Sequence, residues 1–473
     1  MVKYCLSTIL ALAFYGLLVF ISSGCAQMGY PTGGPKDSLA PVLIKATPEI
    51  NTINFSGNKI ILLFNEYIDI QNIQNNLLVS PLPQKNPTVS GNLKTLVIKL
   101  RDTLKENTTY ALQFGNAIKD VNEGNILKNF SYAFSTGNYI DSLSLSGKVT
   151  LAQTGKTDST LLVMLYKNIT DSTVYKERPL YIAKLDGKGS FQFQNLPEGT
   201  FYAFALKDED GGKTYNSGSE LFAFASAPVQ INNATAPLFL NAYALEKPKQ
   251  QPLRTTSGHP VTNRRNQPDK ELKFTSNLSS PYKQDLLKNF DLKFSNKIKN
   301  FDSSKVSLTD TNYLPLPFSI TTDSTQRIFS FKVPWIANKD YVLLIQKAAF
   351  EDSIGLKITK NDTLRFKTFS KEDYGAIQLR FQNLDLTKHP VLQLVQGEEI
   401  KLSAAVGGST WQNNMILPGD YELRVLYDNN QNGKWDPGDY NTKRQPEIAV
   451  TLSQKLTVKA NWDNERDIDM VGE

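Results

Sequence analysis

The chain has 473 residues, with 52 Lys and Arg against 46 Asp and Glu for a formal charge of +6, two histidines and two cysteines. That length exceeds a single core and holds several domains of roughly 100–150 residues each. Both cysteines, Cys5 and Cys25, fall at the N-terminus, and His259 and His389 stand far apart in Pro-containing stretches, which excludes a disulfide framework, a Cys/His zinc site and a histidine triad. The charge is uneven: residues 246–270 hold six Lys and Arg against Glu246 and Asp269, a net +4, and Lys3 adds one more. The remainder is close to neutral and has no basic stripe to track phosphates, so nucleic acid is not an expected partner.

In chain order, Lys3 is the only early charge, an apolar run follows from Ile9 to Ile21, and Ser22, Ser23 and Gly24 precede Cys25. This is the layout of a secretory signal peptide over 1–24, and the run is short of the roughly 20 residues that span a bilayer. The segment resembles bacterial lipoproteins, in which a small-small-Cys lipobox is cut before the cysteine and the new N-terminus is acylated; the family usually has Leu where Ser22 stands. The resemblance implies a membrane-anchored Cys25. Ala26-Gln27, which lacks the Asp of inner-membrane retention, implies the outer membrane facing the periplasm, with surface exposure left open. Residues 25–40, rich in Gly and Pro, form the lipidated tether.

From Pro41 the pattern is short apolar runs between turn residues, such as Lys59–Phe64, Thr95–Leu100 and Thr109–Phe114, with no long 3.6-residue period between them. An all-β fold of sandwiches follows. The chain also repeats itself. Asn107-Thr-Thr-Tyr110 returns as Asn338-Lys-Asp-Tyr341, 231 residues on, and Phe134-Ser-Thr136 as Phe366-Lys-Thr368. Gly199-Thr-Phe201 and the Asp208–Gly218 stretch return as Gly419-Asp-Tyr421 and Asp428–Gly438, 220 residues on. The expected order is A-B-A′-B′: A over 41–137, B over 138–245, a basic Pro-rich linker over 246–270, A′ over 271–370 and B′ over 371–473.

Through Pro41–Pro48, the Phe64-Asn-Glu strand end and Phe114-Gly-Asn-Ala-Ile-Lys-Asp120, domain A resembles the bacterial Ig-like domain of the S-layer type, and A′ is a degenerate copy without the Phe-Gly-Asn triplet. Through Gly189-Ser-Phe191-Gln-Phe193 and Asn195–Phe201, B resembles the prealbumin-like or carboxypeptidase-regulatory-like β-sandwich. The tether Pro31–Asp37 resembles that of a Gram-negative lipoprotein family with this N-terminal arrangement.

One stretch carries metal chemistry. Asp428, Asn430, Asn432, Asp436 and Asp439 place oxygens at positions 1, 3, 5, 9 and 12 of a loop with Gly433 at 6 and Lys434 at 7, the spacing of an oxygen-ligated calcium loop. Pro437 keeps its end from entering a helix, and Asp439 stands where Glu is usual. A strand-connecting turn closed by Asx side chains explains the same residues. The weaker copy has Asp208, Asp210 and Asn216, with Gly212 at position 5 and Ser219 at 12. The carboxylate pairs Glu66/Asp69 and Asp120/Glu123 lack any accompanying catalytic set, and no P-loop, nucleophile elbow or dinucleotide fingerprint is present. Tyr110, Phe114, Phe134, Tyr421 and Trp335 read as core, and Trp411 and Trp435, near turns, as candidates for an exposed stacking surface. The expected function is that of a non-catalytic envelope lipoprotein: a tethered string of four sandwiches acting as scaffold, spacer or binding protein toward an envelope protein or glycan. The alternative is the glycan- or peptide-capturing component of a carbohydrate-active or peptidase system.

Overall fold

The computed structural model describes residues 36–245, 271–279 and 282–471, nearly all strand and turn. The predicted signal peptide, Cys25, the start of the tether and the basic segment 246–270 lie outside the described residues. Among the described residues no helix is long and apolar enough to cross a membrane. Two compact units divide the chain, residues 1–141 and 142–473.

The first unit holds sandwich A. Its larger sheet runs Leu43–Thr47, Lys59–Phe64, Thr95–Lys99, Thr88–Asn92 in spatial order, and a second sheet runs Leu78–Ser80, Thr109–Gln113, Ser131–Ser135. Period-two alternation decides which residues point inward. Ile60, Leu62 and Phe64 are buried while Lys59 and Leu63 are exposed, and the register sets Ile60 against Ile98 and Leu62 against Leu96. These side chains meet Tyr110, Leu112, Tyr132 and Phe134 from the other sheet in one core. Shortening any of the larger ones to Ala costs about 2–5 kcal/mol.

The second unit holds the other three. A′ repeats the large sheet of A strand for strand, as Phe274–Ser276, Phe290–Phe294, Ile328–Lys332, Ser319–Thr322, and adds a short strand, Lys283–Gln284, to the second sheet. The repeat reaches single hydrogen bonds. Asn107 and Asn338 both take left-handed conformations, with φ of 47° and 56°. Just beyond each, a tyrosine hydroxyl accepts a backbone N–H five residues back: Tyr110 from Lys105 at 2.8 Å, Tyr341 from Ile336 at 3.2 Å. The hydroxyls of Thr136 and Thr368 donate to the carbonyls of those same two residues at 2.7 and 2.6 Å.

In B, the strand Leu143–Leu151 pairs antiparallel with Ser190–Leu196 and parallel with Leu238–Ala242; in B′, Gly375–Gln382 pairs the same way with Thr410–Ile416 and Asp463–Asp469. Both leading strands shift register near their start, between Leu143 and Leu145 and between Gly375 and Ile377. The facing sheets are built on Leu162–Tyr166 with Gly199–Leu206 and on Pro390–Gln396 with Gly419–Tyr427.

B and B′, though separated in sequence by A′, pack directly on each other, which departs from a simple string. The Ala449 N–H donates to the Ala152 carbonyl at 2.7 Å, the Thr451 hydroxyl to the Thr154 carbonyl, and the Lys156 ammonium lies 2.7 Å from Glu422. Tyr440 of B′ inserts its ring among Phe204, Phe222 and Phe224 of B, with centroids 5.7, 5.6 and 5.4 Å away. Gly438 makes that approach feasible, because a Cβ there would lie 2.6 Å from the Tyr243 ring. A′ and B′ are joined by Tyr374, whose hydroxyl donates to Asp285 at 2.7 Å and accepts the Leu286 N–H at 2.8 Å.

Candidate functional site

The loop after strand Gly419–Tyr427 is built around Asp428, which is buried. Its carboxylate accepts the backbone N–H groups of Asn432 at 3.2 Å and Gly433 at 2.6 Å, and Gly433 holds the left-handed turn at φ 75°. Asp436 closes the ring by accepting the side-chain amides of both Asn430 and Asn432, while the Asn432 Oδ1 accepts the Lys434 N–H at 2.7 Å. Asp428, Asn430, Asn432, Lys434 and Asp436 are therefore together. Asp439 is not: its carboxylate accepts from Asn441 and Thr442 and organises a separate turn. As folded, the loop oxygens accept from backbone N–H groups and side-chain amides of the loop itself, and among the described residues no three His, Cys, Asp or Glu side chains converge to hold a metal. Seating calcium would require the two asparagine amides to turn their oxygens inward in place of their nitrogens.

Sequence reasoning missed Glu447, which is buried and fastens the loop from the far side. Its carboxylate accepts the N–H of Asn429 at 2.8 Å and of Asp436 at 3.0 Å. Burial, helped by the nearby Asp428 charge, pushes this carboxyl above its ordinary range despite the two N–H donors, which pull it down. No spacing rule marks it, because it lies beyond the loop motif.

The loop in B is closed by equivalent bonds. Asp208 accepts the Lys213 N–H at 2.9 Å, and a buried Glu220 accepts the Asn216 N–H at 2.9 Å, as Glu447 does for Asp436. The cross-loop pair has reversed polarity: Asn216 donates its amide to Asp210 at 2.8 Å, where Asn430 donates to Asp436. The donors Gly212 and Asn216 hold the Asp210 carboxyl below the usual range. Position 6 here is Lys213, at φ 59°, and its ammonium lies 3.5 Å from Asp208 and 3.3 Å from the Gly211 carbonyl. This loop thus supplies its own cation.

The carboxylates of A also serve turns. Asp120 is buried and accepts the N–H groups of Glu123, Gly124 and Asn125 at 2.6, 2.9 and 2.7 Å, as Asp352 accepts those of Ile354 and Leu356 in A′. Burial raises the Asp120 carboxyl, and its three donors more than offset that, leaving it below the usual range. Asp69 faces Lys119 at 3.7 Å and the Gln71 amide at 3.0 Å. Residues 37–136 match the bacterial Ig-like domain family.

No curated protein matches the chain. Solved structures similar to it include the Bacillus anthracis TIE protein, at 11% identity over 93% of this chain and 76% of that one with a TM-score of 0.17. The major pilin subunit BcpA of Bacillus cereus has 11% identity over 69% of this chain and 98% of its own, with a TM-score of 0.17. The S-layer protein SbsC has 15% identity over 89% and 41%, with a TM-score of 0.16.

Within the Ig-like domain, Tyr110, Phe114 and Phe134 are core, as is Tyr421 in B′, and Trp335 packs against the core of A′. Trp411 and Trp435 are half-buried rather than open platforms: Trp411 packs on the B′ core, and the Trp435 indole donates to the Glu447 carbonyl at 2.7 Å. A turn residue in a sandwich still has a core beneath it, which proximity to a turn does not reveal. The tryptophan that stands out is Trp462, 61% exposed, with the Lys459 ammonium 5.0 Å from its ring.

Proposed function

We propose that the protein is a non-catalytic cell-envelope lipoprotein, held to the outer membrane through an acylated Cys25, whose sandwiches act as a scaffold or spacer toward an envelope protein or glycan. The observation that carries this reading is the contact between B and B′. Tyr440, Ala449 and Thr451 join sandwiches from the two halves of the chain into one body, and a scaffold needs fixed geometry more than it needs chemistry. The loop side chains that resemble a metal set bond to one another and to backbone, which is structural work. Calcium belongs to this proposal only as a staple of the Asp428–Asp436 loop, since the B loop already holds Lys213 against Asp208.

A protease site inserted within 246–270 tests the scaffold. After cleavage the two halves should elute together in gel filtration, and should separate once Tyr440 is changed to Ala; halves that part in the wild type would overturn the reading. For the anchor, Cys25→Ala should move the protein from the membrane to the soluble fraction. Calcium as a staple requires a melting temperature higher in calcium than in chelator, and equal values would remove it.

A further inference from the structure

The two copies of the Ig-like sandwich differ on the outer face of the larger sheet. In A that face carries the aliphatics Ile44, Ile61, Leu63 and Val97 among lysines and small polar residues, with no acidic side chain. Ile61 pairs directly with Val97, Leu63 is 36% exposed and Ile44 is 63% exposed. At the same registers A′ has Asp291 opposite Ser330, with the serine hydroxyl donating to the carboxylate at 2.6 Å, and Lys293 in place of Leu63. The fold therefore does not need an apolar outer face. A cluster of exposed and half-buried aliphatics, three of which the second copy replaces with Asp291, Lys293 and Ser330, marks a contact surface.

The charges say what it contacts. Lys59 and Lys99 are directly cross-strand, an arrangement that destabilises a sheet unless an anion lies over it. A second copy of this chain laid face to face would set Lys45, Lys59 and Lys99 against the same lysines, so the partner is anionic as well as amphipathic. The chain enters this sandwich past exposed Leu39 and Val42, and only thirteen residues separate Cys25 from Leu39, a reach of at most about 50 Å. We infer that the outer face of the large sheet in A docks on an anionic phospholipid surface, with Ile44, Ile61, Leu63 and Val97 meeting the interface and Lys45, Lys59 and Lys99 meeting headgroups. The choice of a lipid rather than an acidic protein rests on the proposed anchor at Cys25.

The full-length chain carrying Cys25→Ala, which cannot be acylated, isolates this contact from the anchor. It should sediment with vesicles of phosphatidylglycerol and phosphatidylethanolamine and not with phosphatidylcholine alone. Lys45→Gln, Lys59→Gln and Lys99→Gln should each weaken partitioning about fivefold. The triple change Ile61→Asp, Leu63→Lys, Val97→Ser transplants residues that A′ already holds at these registers, and should abolish sedimentation with little change in melting temperature. Equal binding by the triple variant, absence of binding, or a dimer in light scattering that the triple variant dissolves would each overturn the proposal. In cells Cys25→Ala should release most of the protein, as loss of the anchor requires, and the triple change should release the remainder; Cys25→Ala that stays fully bound until the triple change is added would remove the anchor, and with it the ground for choosing lipid over an acidic protein.

Discussion

The loops Asp208–Glu220 in B and Asp428–Glu447 in B′ begin from the same residue pattern and close with the same kinds of bond, yet they do different jobs. Each is pinned by an aspartate on the backbone N–H of its left-handed residue and by a glutamate at its far end. Between the pinned position and that glutamate, B has Asn216 to Glu220 and B′ has Asp436 to Glu447, a connection seven residues longer. The extra length carries Gly438, Tyr440 and Gln445 onto the aromatic surface of B, where Gln445 donates to the Phe224 carbonyl at 3.1 Å. A duplicated turn has thus become a clasp between the two copies. Asp439 lies in the added part, which is why it leaves the ring that its spacing assigns it to.

The largest expected effect tests that division of labour. Tyr440→Ala should destabilise the second unit by about 3–5 kcal/mol, as for a buried aromatic cut to Ala, read from denaturant midpoints. Its hydroxyl is buried without a hydrogen-bond partner, so Tyr440→Phe should be neutral or stabilising. A loss on Tyr440→Phe as large as on Tyr440→Ala would show that the hydroxyl, not the ring, makes the clasp. Next in size is Asp428→Ala, which takes a buried, charged acceptor from two N–H groups of an otherwise exposed turn and should cost about 1–3 kcal/mol. The polarity reversal gives a smaller and more specific effect. Asn216→Asp in B sets a carboxylate against Asp210, and should cost on the order of 1 kcal/mol that Asp210→Asn restores in the double variant. No restoration would mean that the reversed pairs are not equivalent.

The all-β fold and the repeated units were legible because their signals are local: inward positions alternate along each strand, and Asn107/Asn338 and Gly433 mark left-handed turns by residue type. The loop set Asp428, Asn430, Asn432 and Asp436 was legible for the same reason. Glu447 and Glu220 were not, because each reaches its loop from a position that the repeat spacing does not preserve. The clasp was hidden more deeply. Tyr440 reads as one aromatic in a polar turn, and only tertiary packing shows it facing Phe204, Phe222 and Phe224 across more than 200 residues of chain.

The smallest expected effect lies in the other pair of copies. In A′ the Asn296 amide donates to Asp352 at 2.7 Å, and at the matching place A has Glu66 facing Asp120. Burial, and then the charges of Asp120, Asp37 and Glu123, raise the Glu66 carboxyl above its ordinary range. The folded state therefore holds that proton more tightly than the unfolded chain does. Its contribution to stability is present below the ordinary glutamate pKa and is lost as pH rises through the raised folded value. Glu66→Gln supplies a permanent donor of the kind Asn296 provides, so the variant should match the wild type near pH 4 and exceed it near pH 7 by about 0.5–1 kcal/mol. Melting curves at the two pH values decide it: an equal offset at both would mean that Glu66 does not feel Asp120, and that the two copies solved this turn independently.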